Sequence, residues 1–391
     1  MTIDDRLAAA GLLKPDYGGK ELGAVLPAAL AAVGASAVVP GRNAEADRLR
    51  LGIPEARHVV LVMLDGLGHH LLDSRKGHAP FLRSIFTEVV TAGFPTTTAT
   101  SLALFGTGQA AGVTGMAGYT ARNPGSGTLA NLVSWDGAPA PMQWQQAPSL
   151  LERAHESGLT VTSLGKHAFA GSGLTQAALR GGKFVGTETL GQRVTAALVQ
   201  AKEPGVTYCY AGEIDAAGHR YGWQSGEWVA ALEDADRELR RLAAGLPRSS
   251  IMLVTADHGM VEVVGEKRWD IADFQHLQKD VALVGGEPRA VHLYLSDPAK
   301  ALGVVDSWQS TLGEHGVAMT REEAVTAGLV GRLEPEVAER FGDVIVAMAG
   351  RATIVDSRVQ TPASLALVGM HGSLTPEELH VPLLLAQGAA R

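Results

Sequence analysis

Three apolar runs in this chain each break off into acid or imidazole. HVVLVML (58–64) runs into Asp65-Gly66, and GVTYCYA (205–211) is followed by GEIDAAGH, with Asp215 and His219. SIMLVTA (250–256) runs into Asp257-His258-Gly259. Apolar runs without polar alternation belong to strands buried on both faces, as in a parallel sheet covered by helices. In such a sheet ligands bind beyond the carboxyl ends of the strands. The pattern therefore constrains the chain to an α/β fold and gathers its chemically able side chains at one end of the sheet.

Each pairing has a bland reading. A strand-end Asp is often a helix cap, and a single Asp–His pair on a loop is often solvated. Asp215 and His219 are four apart, so one helical turn puts them on the same side. Asp257 and His258 are adjacent and reach one ion only where the strand has ended; Gly259 permits the turn. A fourth segment, GMHGSLTPEELHVPLLLA (369–386), holds His371 ahead of a helix start and a last strand. Six oxygen and nitrogen donors with no thiolate suit a catalytic pair of divalent ions better than a closed structural zinc site. Two ions about 4 Å apart clamp the attacking and leaving oxygens of a phosphoryl transfer.

GFPTTTATSLALFGTG (93–108) then acquires a meaning. Read alone, its threonines cap a helix whose buried face is 99–105. Beside two metal ions, one of them is a nucleophile, because coordination turns a weakly nucleophilic hydroxyl into an alkoxide.

Further strands are expected at 88–92 and 159–165, and His380 opens another over 380–386. Helices are expected at 148–158 and 227–246. Residues 262–368 read differently, with RAVHLYLS (289–296), a helical 306–316 and DVIVAMAG (343–350). The expected architecture is a three-layer α/β/α sandwich with a mostly parallel central sheet. Its core is 1–261 plus 369–391, and an α+β cap is inserted at 262–368, before the last metal-binding motif.

Bulk properties exclude several classes. The 391 residues carry a net charge of −8 with no basic block, which argues against a nucleic-acid duplex as partner. The single Cys209 rules out an internal disulfide and suits a reducing compartment. The N-terminus has early acids and no basic n-region, unlike a secretory signal. GAVLPAALAAVGASAVVP (23–40) is too short and too weakly apolar to span a membrane and reads as a helix packed on the domain surface. A cytoplasmic protein is expected.

The order Asp, Thr, Asp-x3-His, Asp-His, His resembles the metal-site order of the alkaline phosphatase superfamily, and within it the nucleotide pyrophosphatase/phosphodiesterase family. LDGLG resembles the first metal motif, FPTTTATS the nucleophile segment, and EIDAAGHRYG, TADHGM and MHG the remaining ones. The resemblance covers about 55–260 and 369–391. It implies Thr98 as nucleophile. One ion would be held by Asp215, His219 and His371, and the other by Asp65, Thr98, Asp257 and His258. Both ions would be zinc, with manganese as the alternative. It further implies hydrolysis of a small phosphodiester or nucleotide pyrophosphate bond through a phosphothreonine. A phosphomonoesterase or phosphonate hydrolase on the same site is the alternative, and a catalytically inactive metal-binding sensor the reading from another class.

The family's downstream asparagine, which binds a phosphate oxygen, has no counterpart in GMAGYTARN (115–123); Asn123 and Arg122 are the candidates there. Lys166 and His167, in a glycine-rich stretch, are candidates for the substrate pocket, and Trp135, Trp144 and Trp223 for stacking a base.

Overall fold

The computed structural model describes residues 1–263 and 265–389. Its centre is a seven-stranded sheet in the order β2-β17-β8-β1-β7-β5-β6. The strands are β1 (His58–Leu64), β2 (Phe86–Thr91), β5 (Val161–Gly165), β6 (Lys183–Gly186), β7 (Gly205–Ala211), β8 (Ser250–Thr255) and β17 (His380–Gln387). β1 is central and pairs in parallel with β7 and β8. β17 alone runs opposite to the other six strands. Every residue of β1 and β8 is buried, as expected for strands covered on both faces. The architecture is therefore the expected helix-covered, mostly parallel sheet.

Local chemistry sets the covering helices. Gly226–Gly245 starts where the Ser225 side chain accepts from the Trp228 N–H and buries Trp228, Leu232, Ala235, Leu239 and Leu242, one stripe at helical spacing. The alanine-rich helix Val25–Ala32 is buried along its whole length rather than lying on the surface. Its small side chains let it pack closely on the helix Ala44–Arg50 and on β1.

A second, antiparallel sheet has the order β13-β14-β12-β11-β3-β4. It comprises β3 (Thr120–Asn123), β4 (Thr128–Asn131), β11 (Val281–Glu287), β12 (Ala290–Leu295), β13 (Gly316–Thr320) and β14 (Val344–Met348). This departs from the division at 262–368. The hairpin β3–β4, placed in the core by sequence, joins the inserted sheet where Thr120 faces Gly286. The inserted sheet also packs directly on the core. Alternate residues of its strands, among them Val317, Met319, Ile345 and Ala347, merge with the main hydrophobic core. Leu293, Val344 and Val346 point the other way, onto Trp308 of the helix Ala301–Leu312. Two short ladders complete the strands: β9 (Val261–Glu262) with β16 (Gly369–Met370), and β10 (Arg268–Asp270) with β15 (Thr353–Val355). The first ties the segment after His258 to the segment before His371.

Candidate active site

The three acid-bearing strands β1, β7 and β8 are neighbours, so their carboxyl ends deliver side chains to one place. Asp65 follows β1, and Gly66 turns the chain at φ +73°. The Gly66 N–H donates to Asp257 Oδ1 at 3.1 Å, joining the ends of β1 and β8. A Cβ on Gly66 would stand 2.9 Å from Asp215 Cβ, so glycine lets these two motifs approach. Asp215 and His219 lie in the first and last turns of the helix Glu213–Tyr221, on one side as their spacing required. His219 Nε2 is 3.4 Å from Asp215 Oδ1 and 3.2 Å from His371 Nε2. His258 Nε2 is 3.4 Å from Asp65 Oδ1 and 3.7 Å from Asp257 Oδ2.

Thr98 is the first residue of the helix Thr98–Thr107, and Thr97 is its cap. No side chain caps that helix, so the backbone N–H groups of its first turn lack a side-chain partner and point where an anion is favoured. The Thr98 hydroxyl lies 3.3 Å from His258 Nε2. Thr96 does other work: its hydroxyl donates to the Ser373 carbonyl at 2.7 Å and accepts from the Gly372 N–H at 3.1 Å. Its own carbonyl meets His371 Nδ1 at 2.8 Å. The threonine run thus starts a helix, anchors the last motif and presents one hydroxyl to the carboxylate–imidazole cluster.

The donor set fits divalent cations. Asp65 Oδ1, Asp215 Oδ1 and Asp257 Oδ2 are buried without a hydrogen-bond partner. All three histidines engage a backbone carbonyl through Nδ1: Gly369 for His219, Gly259 for His258 and Thr96 for His371. That leaves each Nε2 free for a ligand, and those of His219 and His371 face one another at 3.2 Å, a costly arrangement unless a cation lies between them. Contacts of 3.2–3.4 Å match the edge of about 3.3 Å of a tetrahedron with zinc–nitrogen bonds near 2.0 Å. Two groups of three donors stand close enough to share an ion: Asp215, His219 and His371, and Asp65, Asp215 and His258. Asp215 belongs to both, and Asp257 borders the second through His258.

Burial pushes the Asp215 and Asp257 carboxyls up to about 7. Burial, and then the neighbouring Asp257, drive Asp65 well above the usual carboxylate range. Burial pulls His258 below its ordinary value, and burial with two neighbouring imidazoles takes His371 far below it. Left to itself the cluster resists ionisation in both directions, which is what cations would relieve.

Two cavities meet at the threonines. One, of about 420 Å³, is lined by Thr98 and by the rings of Tyr119, Phe169, Phe184, Tyr208 and Tyr210. The other, of about 590 Å³, is lined by Thr97, Tyr119, His219, Glu287 and His371. Three residues with no motif around them emerge. The Tyr210 hydroxyl donates to Asp65 Oδ2. Tyr119 borders both cavities. Glu287, at the end of β11, is buried, with Oε2 3.8 Å from His371 Nδ1 and Oε1 unpartnered. Burial pushes its carboxyl up to about 8. The aromatic doublet in TYCYA was a legible trace of Tyr210; VGGEPRA offers none for Glu287.

None of the four substrate-binding candidates is among the residues lining the two cavities, although Lys166 and His167 lie between Gly165 and Ala168, which line the first. The Asn123 side chain closes the β3–β4 turn, donating to the Gly137 carbonyl at 2.9 Å and accepting from the Gly125 N–H at 3.0 Å. Arg122, Lys166 and His167 also line neither cavity. Among the tryptophans, Trp144 is buried under the Arg340 guanidinium, Trp135 donates to the Pro139 carbonyl, and Trp223 packs edge-on to Trp228. The aromatic lining comes from Tyr and Phe instead.

Comparison with known proteins agrees with this geometry. A family model described as type I phosphodiesterase / nucleotide pyrophosphatase matches residues 59–374. Venom phosphodiesterase 2 of Crotalus adamanteus is 41% identical over 71 residues, which is 17% of this chain and 9% of that protein. The aligned stretch thus spans under a tenth of that relative. Murine ectonucleotide pyrophosphatase / phosphodiesterase 5, solved as an inactive variant with AMP, shares the fold at TM-score 0.68 and 18% identity, over 85% of this chain and 88% of that one. Phosphonoacetate hydrolase from Sinorhizobium meliloti, solved with phosphonoformate, does so at TM-score 0.64 and 20% identity, over 86% and 91%. With the family model spanning every strand of the main sheet but β17, the threonine helix, and Asp65, Asp215, His219, Asp257, His258 and His371, the chain belongs to the type I phosphodiesterase / nucleotide pyrophosphatase family.

Proposed function

We propose that this protein hydrolyses phosphodiester or pyrophosphate bonds in two steps, with Thr98 as nucleophile. The observation that carries the reading is the Thr98 hydroxyl, 3.3 Å from His258 Nε2 at an uncapped helix N-terminus, beside three buried carboxylate oxygens without partners. Asp215, His219 and His371 would hold one divalent ion, and Asp65, Asp257 and His258 with Thr98 the other. Zinc suits this oxygen–nitrogen set, and manganese is the alternative. When bound, the ions would supply Lewis-acid stabilisation of the attacking and leaving oxygens.

The chain's own residues supply the rest. Thr98 Oγ1 bonds to phosphorus as the first alcohol leaves, and water then cleaves the phosphothreonine. The free N–H groups of the first helical turn receive a phosphoryl oxygen, standing in for the absent asparagine. The ring-lined cavity next to Thr98 accepts the retained substituent. Asp257 and the three histidines are held by backbone hydrogen bonds and Asp65 by the Tyr210 hydroxyl, so these groups need little reorganisation at the moment of reaction.

The test is a paired assay on metal-analysed protein, bis-p-nitrophenyl phosphate against p-nitrophenyl phosphate, wild type beside Thr98→Ala. Strong preference for the diester, dependence on two bound ions and loss of turnover in Thr98→Ala are expected. Preference for the monoester would move the protein to the phosphatase or phosphonate-hydrolase reading. Metal-loaded protein without turnover would leave a binding domain.

A further inference from the structure

The two cavities differ in what they touch, and both lack one thing a polyphosphate requires. Among the described residues that line them there is no lysine and no arginine. The cavity beside Thr98 has no ionisable side chain except its tyrosines. The other is lined by the candidate ligands His219 and His371 and by two acids, Glu287 and Asp356. Guanidinium groups do stand nearby, but they are already engaged. Arg289 is fully buried and donates twice to Glu378 at 2.7 Å. Arg358 grips Asp356 through two hydrogen bonds of 2.7 and 2.6 Å. Glu287 Oε1 is buried, unpartnered and on the wall of the second cavity, so it accepts a hydrogen bond and in either protonation form supplies no positive charge.

Thr98 opens on the first cavity, whereas His219 and His371 open on the second. Because the attacking and leaving oxygens lie on opposite sides of phosphorus, the second cavity is where a departing group sits. A departing pyrophosphate there would meet the Glu287 carboxyl, an Asp356 already paired with Arg358, and no free basic side chain. A departing alcohol that carries a hydroxyl or ammonium donor would meet the free Glu287 oxygen.

We infer that, within the diesterase reading on which this rests, the substrate is a singly charged phosphodiester whose leaving group is an uncharged or amine-bearing alcohol, and that the second cavity discriminates against nucleoside polyphosphates. With every nearby guanidinium engaged elsewhere, the added charges of a polyphosphate find no side-chain countercharge on that wall.

The experiment compares kcat/KM for thymidine 5′-p-nitrophenyl phosphate and for ATP cleaved to AMP, on metal-loaded wild type and on Val359→Lys. Val359 lines the second cavity and is 75% exposed, so a lysine there adds a cation at the mouth without disturbing a packed core. Wild type is expected to favour the nucleoside aryl diester on the order of a hundredfold, and Val359→Lys to narrow that ratio several-fold, mostly through KM for ATP. ATP cleaved as well as the aryl diester by wild type would overturn the inference and leave the diesterase reading intact. An unchanged ratio in Val359→Lys would overturn the assignment of the second cavity to the leaving group. Turnover of neither substrate would sink the diesterase reading itself.

Discussion

Arg289→Met probes a buried ion pair that supports both the fold and the segment carrying His371. Arg289 comes from the turn between β11 and β12, and Glu378 from the segment that follows His371. Both are fully buried. The guanidinium donates to Glu378 twice, at 2.7 Å each, and to the Ala352 and Met348 carbonyls. Glu378 also accepts from the Ser373 N–H at 3.0 Å and the Thr375 hydroxyl at 2.6 Å. Removing the guanidinium leaves a buried carboxylate with two donors and no countercharge, and orphans the Ala352 carbonyl. Breaking one side of such a pair costs about 3–5 kcal/mol, whereas replacing both sides by apolar groups is often close to neutral. In urea unfolding, Arg289→Met should lose about that much, and Arg289→Met/Glu378→Leu should recover more than half of it. Since the same segment positions His371, the single variant should also bind its metal more weakly. A loss below about 1 kcal/mol, or a double variant no more stable than the single one, would refute the argument that charge burial dominates here.

Three other outcomes follow from the site. In chelated protein, stability should fall as pH rises from about 7.5 to about 9. Over that window the unfolded histidines, at 6.5, have largely lost their protons, while folded Glu287 at about 8, Asp65 well above the carboxylate range and the upper part of the Asp215 and Asp257 titrations at about 7 hold protons that the unfolded chain, at 3.8 and 4.5, has released. Adding zinc should remove that slope; a thermal midpoint flat across the window without metal would contradict it. Tyr210→Phe, which deletes the donor to Asp65, should weaken metal binding by about tenfold or more while leaving the unfolding midpoint nearly unchanged, as competition with a chromophoric chelator would show. Gly66→Ala combines a left-handed φ of +73° with a Cβ 2.9 Å from Asp215, so it should cost about 1–3 kcal/mol and lower metal occupancy; occupancy equal to wild type would count against the close approach.

What the sequence made legible was what is local or strictly periodic. β1 and β7 lie at 58–64 and 205–211 as read, because uninterrupted apolar runs bounded by Gly or Asp leave little latitude. Asp65, Asp215, His219, Asp257, His258 and His371 were legible because each follows the end of a strand directly or, like Asp215 and His219, shares one face of the helix after it, and the topology alone brings adjacent strand ends together. Short, half-buried β6 carries no apolar run and was invisible. The hairpin at 120–131 was assigned to the core because nothing in its own residues states that its partner strand lies about 160 positions later, at Gly286. Glu287, Tyr119 and the aromatic cavity were hidden for the same reason, since their meaning comes from partners distant in sequence.

That asymmetry has a physical basis. Phosphoryl-transfer chemistry needs particular donors at strand ends, so it writes a pattern into the chain. Leaving-group recognition needs only a surface of suitable shape and charge, which many unrelated residues supply. Arg122, Asn123, Lys166 and His167 were chosen by residue type and neighbourhood, and such residues are as readily used to close a turn, as Asn123 does. The charge balance of the second cavity follows instead from pairing, with Arg289 and Arg358 neutralised by Glu378 and Asp356 and Glu287 left alone. Only a folded chain displays which charges are spent. The specificity of this protein therefore lies in the remainder after its ion pairs are formed, and Val359→Lys changes that remainder by one.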